Sequence, residues 1–326
     1  MEEQTALANG GKCFPCDLYI LEWCQRMSDL SCTETYVVRG PSTSKPTVEA
    51  LELKSIQYRR KVLEIIKKAN AGHTGGSLSA IDILNVLYNR VLNVSPQNFA
   101  DANRDRYIHS KGHSVEALYV VLADQGFYPE AALDSLNRYQ SHFIGHPTRK
   151  VNGIEQNTGA LGHGLPIAVG IAIAGKKDGR SFRVFTLLGD GELEEGSNWE
   201  ASMSASHHGL DNLVVIVDNN KLQITGPIET VTGIDNLRQK FTAFGYAVRE
   251  VDGNSIPDLV SVFDQIPFEP GKPNLVLAHT TKGKGISFIE NRVEWHHHVP
   301  NDKEFATAML ELDAAEKRWE IQNGNR

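Results

Sequence analysis

Cysteine is nearly absent from this sequence. Four occur in 326 residues, and Cys13, Cys16, Cys24 and Cys32 all lie at the N-terminal end. Disulfides therefore do not hold the main body together. Cys13 and Cys16 have the spacing of a metal knuckle, but seven residues separate Cys24 from Cys32. That pattern reads first as a variable extension with reduced thiols, and second as a small zinc or iron–sulfur site. Long apolar runs are also missing. None approaches the ~20 continuous residues of a membrane-spanning helix. The opening residues, Met1-Glu-Glu-Gln-Thr5, are acidic and lead into no apolar segment, so no secretory signal is expected and the cytoplasm is the expected compartment. A basic surface is absent too: the formal charge of −7 argues against nucleic acid as a partner.

What remains is an ordinary globular composition, 40% apolar and 22% charged, long enough for one large domain or two modest ones. Arg39-Gly-Pro-Ser-Thr-Ser-Lys-Pro46 is rich in breakers and reads as a linker. It divides a cysteine-bearing extension, residues 1–46, from a body over residues 47–326. Residues 49–69 carry Val62, Leu63, Ile65 and Ile66 among charged neighbours, the pattern of an amphipathic helix. A second helix is expected from Ser79 as N-cap, burying Ile83, Leu84, Leu87 and Val91 on one face. Pro129 suits the first turn of a third. Farther along, apolar β-rich runs 183–188, 213–217 and 275–278 end at Gly189, Asp218 and His279, with helical stretches near 195–208, 235–243 and 256–265 between them. This alternation predicts an α/β fold, a mostly parallel sheet with helices on both faces. Ligands of such folds bind beyond the carboxyl ends of the strands.

Two of those ends carry unusual chemistry. One reads Gly189-Asp190-Gly191, and 27 residues later the next reads Asn219-Asn220. Glycines let a backbone approach a diphosphate closely, and a helix beginning after them offers free N–H groups to the phosphates. A hard divalent cation needs oxygen donors and commonly keeps bonds to phosphate. A lone Gly-Asp-Gly is ordinarily a tight turn, but the paired Asn at the following strand end changes the balance.

Together these residues resemble the thiamine-diphosphate signature. Further segments resemble transketolase in particular: Ala71-Gly-His-Thr-Gly-Gly-Ser77, Arg106-Tyr-Ile-His-Ser-Lys-Gly-His-Ser114, Gly145-His-Pro147, Thr158-Gly-Ala-Leu-Gly-His-Gly164, Thr281-Lys-Gly-Lys-Gly285 and Trp295-His296. They run in the family's order from about residue 50 to 300. Singly, each histidine reads as a core or surface residue; gathered in Gly-rich turns, they suit proton transfer among sugar hydroxyls. The resemblance implies a thiamine-diphosphate-binding fold in which Asp190, Asn220 and the Leu222 carbonyl hold Mg²⁺ (or Ca²⁺ or Mn²⁺) and Gly191 touches the diphosphate. Gly159 and Leu161 would lie against the cofactor. His73, His113, His146 and His296 would line the substrate channel, with His113 and His296 also reaching the diphosphate. Glu195 resembles the acidic residue that links paired active sites across the subunit interface. Three positions depart from the pattern. Thr74 stands where the family has proline, His163 where it has glutamine, and His297 where it has glycine, which would enlarge the histidine content beside the site.

The family's pyrimidine-binding domain, whose glutamate activates the cofactor, has no counterpart before Arg326. The resemblance thus implies the diphosphate-binding subunit of a two-subunit transketolase. A separate C-terminal-type partner would complete an α₂β₂ assembly that passes a two-carbon ketol unit from a ketose or its phosphate to an aldose. The alternatives are the α-type subunit of a 2-oxo-acid dehydrogenase, a 1-deoxyxylulose-phosphate synthase, which is normally one long chain, and a non-catalytic scaffold paralogue. The first would not be expected to carry the His73, His113 and His296 segments together, and a scaffold has no use for the Asp190 and Asn220 pair.

Overall fold

A computed structural model describes residues 45–324. The four cysteines and most of the expected linker lie outside these residues. Thr47 opens helix α1 (Val48–Ala69) by accepting the Ala50 N–H at 3.2 Å, and Lys67 and Lys68 face its carboxyl end, where cations are favoured. Helix α2 (Thr74–Val86) runs on into a π-helical turn, Leu87–Val91. It begins five residues before the expected Ser79 cap. Gly75 and Gly76, which look like breakers, serve close packing: a Cβ on Gly75 would lie 2.8 Å from the Trp295 carbonyl. The Ser79 hydroxyl instead donates to Asp218 at 2.6 Å, and all thirteen residues of α2 are buried rather than one face. Pro129 precedes a short 3₁₀ helix, Glu130–Ser135, and no α-helix.

Five parallel strands form the sheet: β1 (Arg106–His109), β2 (Val184–Gly189), β3 (Leu213–Asn219), β6 (Ala247–Asp252) and β7 (Asn274–His279), in the order β1-β2-β3-β7-β6. A small antiparallel ribbon, β4 (Leu222–Gln223) and β5 (Gly226–Pro227), follows β3. The remaining helices are α3 (Val115–Asp124), α4 (Gly164–Lys177), α5 (Gly196–His207), the single turn α6 (Ile228–Val231), α7 (Leu237–Ala243), α8 (Ile256–Phe263) and α9 (Asp302–Asn323). Strand β6 carries no clear sequence signal because Arg249 and Glu250 interrupt its apolar run, as an edge strand permits.

Strand periodicity divides the core in two. Phe185, Leu187, Val214 and Ile216 point into a cluster built with α1, α2, α3 and α8. Val184, Leu188, Val215 and Val217 point the other way, against α4, α5 and α7. The register aligns Gly189 with Asp218 and Asn219 with His279, so the most informative residues emerge at one edge of the sheet. No helix among the described residues is long and apolar enough to cross a membrane.

One buried ion pair seats a loop beyond this edge. Arg59 of α1 meets Asp82 of α2 through two nitrogens, at 3.0 and 2.6 Å, and donates a further bond to the Lys284 carbonyl at 2.8 Å. Asp82→Ala strands a buried guanidinium and is expected to cost about 3–5 kcal/mol, read as a lower urea midpoint. The double variant Arg59→Met, Asp82→Leu recovers most of the loss.

Candidate active site

The site begins where β2 and β3 end. Asp190 is buried; one carboxylate oxygen accepts the Gly191 N–H at 2.9 Å and the other accepts the Lys221 N–H. Burial, and then the nearby Asp218 charge, lift its pKa to about 7. Asn220 is also buried, and its amide oxygen accepts the Leu222 N–H at 3.1 Å. A single 3₁₀ turn, Gly191–Glu194, follows the glycine pair, so α5 starts at Gly196 rather than immediately after Gly191. The Cβ of any larger residue at Gly191 would lie 2.9 Å from the Gln223 side chain.

A cavity of about 350 Å³ opens over this corner. Asp190, Gly191, Asn220 and Leu222 line it together with Gly159, Leu161, His113, His296 and Glu195. His73 and His146 stand beside it. The His73 ring centroid lies 5.4 Å from that of His113, 5.9 Å from His146 and 5.8 Å from His296. Every residue expected from the sequence is therefore in or next to one cavity. Gly159 is glycine for a reason visible here: its φ is +135°, and a Cβ would press to 2.7 Å from the His146 ring. His297 adds a fifth imidazole, exposed and 4.6 Å from His73. His163 does not contribute; it is exposed, and its ring turns back toward the carbonyls of Ala160 and Leu161.

Three residues that the sequence alone does not mark complete the electrostatics. Lys111 forms a buried ion pair with Asp218 and donates to the Gly76 carbonyl at 3.1 Å. Ser79 and Thr280 also donate to Asp218. Burial pulls the Asp218 pKa upward, but Lys111 and these hydroxyls outweigh it and hold the group below the ordinary carboxylate value. Lys282 donates to the Leu222 carbonyl at 2.9 Å and reaches His296 Nδ1 at 2.8 Å. Burial, and next Lys111, lower its pKa to about 8. The available signal was the Lys-Gly pairs 111–112 and 282–283, cations on glycine loops at strand ends.

Desolvation also governs the imidazoles. His73 and His296 are held down to about 3, His113 well below its ordinary value, and His146 lower than usual, with burial the leading cause in each. They are neutral at pH 7, able to accept a proton or share one. The donors at Asp190, Asn220 and Leu222 are a carboxylate, an amide oxygen and a carbonyl, which suit a hard divalent cation. A carboxylate lifted toward neutrality by burial suits a site that gains a cation, and Lys282, which has no ion-pair partner among the described residues, fits a diphosphate. The residues present thus fit both groups.

Residues 52–323 match the family model described as transketolase, thiamine diphosphate binding domain. The chain belongs to the transketolase family. Its described domain is that family's thiamine-diphosphate-binding domain, a five-stranded parallel α/β fold. Among relatives, it is 44% identical over 279 residues to an apulose-4-phosphate transketolase subunit of Phocaeicola vulgatus, covering 86% of this chain and 99% of that one. It is 39% identical to a 6-deoxy-6-sulfo-D-fructose transketolase subunit of Clostridium sp., over 78% of this chain and 93% of the relative. The solved transketolase of Campylobacter jejuni superposes with a TM-score of 0.71 at 29% identity, covering 83% of this chain and 48% of that structure. This transketolase chain thus spans about half the length of that larger enzyme.

Acid should unfold this transketolase domain through its histidines. Folded values near 3 lie below the unfolded value of 6.5, so as pH falls the unfolded state binds protons first. The histidine contribution to stability is expected to be full above pH 7 and to fall progressively below about 6.5, opposed over the same range by Asp190 and Glu116, whose raised values favour the fold as pH falls. Urea midpoints of the parent and of His73→Asn between pH 8 and 5 isolate the histidine share, and His73→Asn should lose less stability toward pH 5.

Proposed function

We propose that this chain is the diphosphate-binding subunit of a two-subunit transketolase that transfers a two-carbon ketol unit from a ketose phosphate to an aldose. The observation that carries this reading is the convergence of the Asp190, Asn220 and Leu222 oxygens, two lysines and four neutral histidines on one cavity edge. Asp190, Asn220 and the Leu222 carbonyl hold Mg²⁺, with Ca²⁺ or Mn²⁺ as substitutes. Lys282, His113 and His296 face the diphosphate, Gly191 lets it approach, and Gly159 and Leu161 support the cofactor. Bound thiamine diphosphate supplies the electron sink for breaking and remaking the carbon–carbon bond.

The protein supplies position and proton transfer. A neutral imidazole among His73, His113, His146 and His296 accepts the hydroxyl proton of the ketose as its C2–C3 bond breaks, and returns it to the acceptor. Glu195, exposed at the cavity rim, reaches toward the paired site of the assembly. Two relatives named as subunits of an apulose-4-phosphate transketolase are matched over nearly their whole length, which supports a separate partner subunit; that partner carries the pyrimidine-binding domain, and the two chains assemble as α₂β₂. Two relatives are named for sugars bearing a phosphate or a sulfo group, which favours a donor with an anionic end over a neutral sugar. The dehydrogenase reading accounts for the metal donors but leaves the histidine cluster without a task.

Calorimetric titration of thiamine diphosphate with Mg²⁺ tests the assignment, first into this chain and then into this chain with a pyrimidine-domain partner subunit. Tight binding to the mixture, with ketol transfer appearing alongside, is the expected result. Asp190→Ala should weaken that binding by more than the about 10–100-fold that loss of a residue merely supporting a metal ligand costs. Turnover by the single chain would overturn the two-subunit reading, and absence of binding in both samples would favour a scaffold.

A further inference from the structure

Glu116 lies behind the histidine cluster with no part in the chemistry above. Its side chain is fully buried, at 0% exposure, in the first turn of α3. One carboxylate oxygen accepts the backbone N–H of His73 at 3.2 Å, and the other accepts the Ser77 hydroxyl at 2.9 Å. Both donors belong to the start of α2, so the carboxylate is held between the positive ends of two helices. Gly72 makes the approach possible, because a Cβ there would come within 2.9 Å of the same carboxylate and 2.7 Å of Ile66.

The ring nitrogen Nδ1 of His73 is buried without a hydrogen-bond partner among the described residues. Ring packing and the backbone are therefore what fix its direction. We propose that Glu116 is a positioning residue for His73: its carboxylate fixes the His73 backbone, and protonation of that carboxylate loosens the hold. The proposal rests on the substrate-facing role of His73 given above.

The surroundings favour such a change within the working pH range. Around Glu116, α1 contributes the apolar Ile66, the start of α2 contributes His73 and Ser77, and Tyr119 lies one turn along α3. No lysine, arginine or histidine among the described residues forms an ion pair with it. Burial raises its pKa to about 7, against the opposing hydrogen bonds from its own N–H, Ser77 and His73. Above that value the anion accepts both bonds. Below it, a neutral carboxyl meets the His73 N–H with a hydrogen bond about half as strong.

Glu116→Gln preserves the shape, keeps an oxygen for the His73 N–H, and places an amide against Ser77, which can accept from it. Only the charge and its titration are removed. In the free chain, the His73 ring resonance, assigned by its loss in His73→Asn, is expected to move in one step near pH 7. That step should vanish in Glu116→Gln and shift to higher pH in Ser77→Ala, which deprives the anion of a donor. In the assembled enzyme with its partner and thiamine diphosphate, kcat/KM for the ketose should fall about tenfold from pH 8 to 6, as one group of pKa near 7 titrates. In Glu116→Gln it should be flat, with the KM for thiamine diphosphate unchanged in both. A resonance step that survives in Glu116→Gln, or stays in place in Ser77→Ala, overturns the proposal, as does a retained acid limb. Absence of transferase activity in the parent assembly would count against the proposed function alone, and the resonance then decides.

Discussion

The buried pair of Lys111 and Asp218 is the interaction on which the site depends. Asp218 closes β3 at the centre of the sheet, and Lys111 arrives from the loop after β1. Through Ser79 and the Gly76 carbonyl the pair takes hold of α2, and through Thr280 it takes hold of the chain leaving β7. Four segments far apart in sequence are thus pinned to one point. Removing two charges from water is expensive, and only close geometry with additional hydrogen bonds offsets it. Asp218 receives those bonds from Lys111, Ser79, Thr280 and the Asn220 amide. The geometry of the corner is specified because other arrangements leave a charge unpaired.

Around that point, charge and neutrality are sorted by burial. The carboxylate at Asp190 and the ammonium at Lys282 are both moved toward neutral pH, in opposite directions and for the same reason. The histidines are pushed below the range in which they carry charge. A further buried carboxylate, Glu192, joins loops by accepting from Ser110 and from the N–H groups of Gly162 and Gly189, both at 3.1 Å. The site is a preorganised set of donors and acceptors whose charges await complementary groups.

Much of this was legible in the residues alone. Apolar runs ending at Gly189, Asp218 and His279 mark the central strands because buried parallel strands need continuous apolar sequence. Gly189-Asp190-Gly191 and Asn220 mark a cation and phosphate corner because few other tasks need that combination. The start of α2 was misplaced because a glycine pair reads as a breaker locally, whereas its purpose is a contact with Trp295, more than two hundred residues later. Strand β1 was absorbed into a histidine segment, and only four residues of it pair. Lys111 and Lys282 show in the sequence only as Lys-Gly pairs, and Asp218 only as the residue at the end of an apolar run, patterns that name no task by themselves. Their meaning lies in which loops the sheet brings together. Glu116 sits on a helix whose buried residues, Val115 to Leu122, are otherwise apolar or aromatic, and nothing in its neighbourhood along the chain indicates His73.

The strand order has a temporal consequence. The central strand β3 lies between β2 and β7, and β7 ends at His279. A chain emerging from its N-terminus therefore makes β1, β2 and β3 long before the other neighbour of β3 exists. The bond from Arg59 to the Lys284 carbonyl spans 225 positions, and that from Ser79 to Asp218 spans 139. Contacts of such separation make folding slow, and until β7 arrives, β3 presents an open hydrogen-bonding edge flanked by apolar side chains. The growing chain must be kept from pairing with other nascent chains while the stretch between Asn219 and Asn274 is made, and the ligand corner closes only when nearly the whole domain has been made.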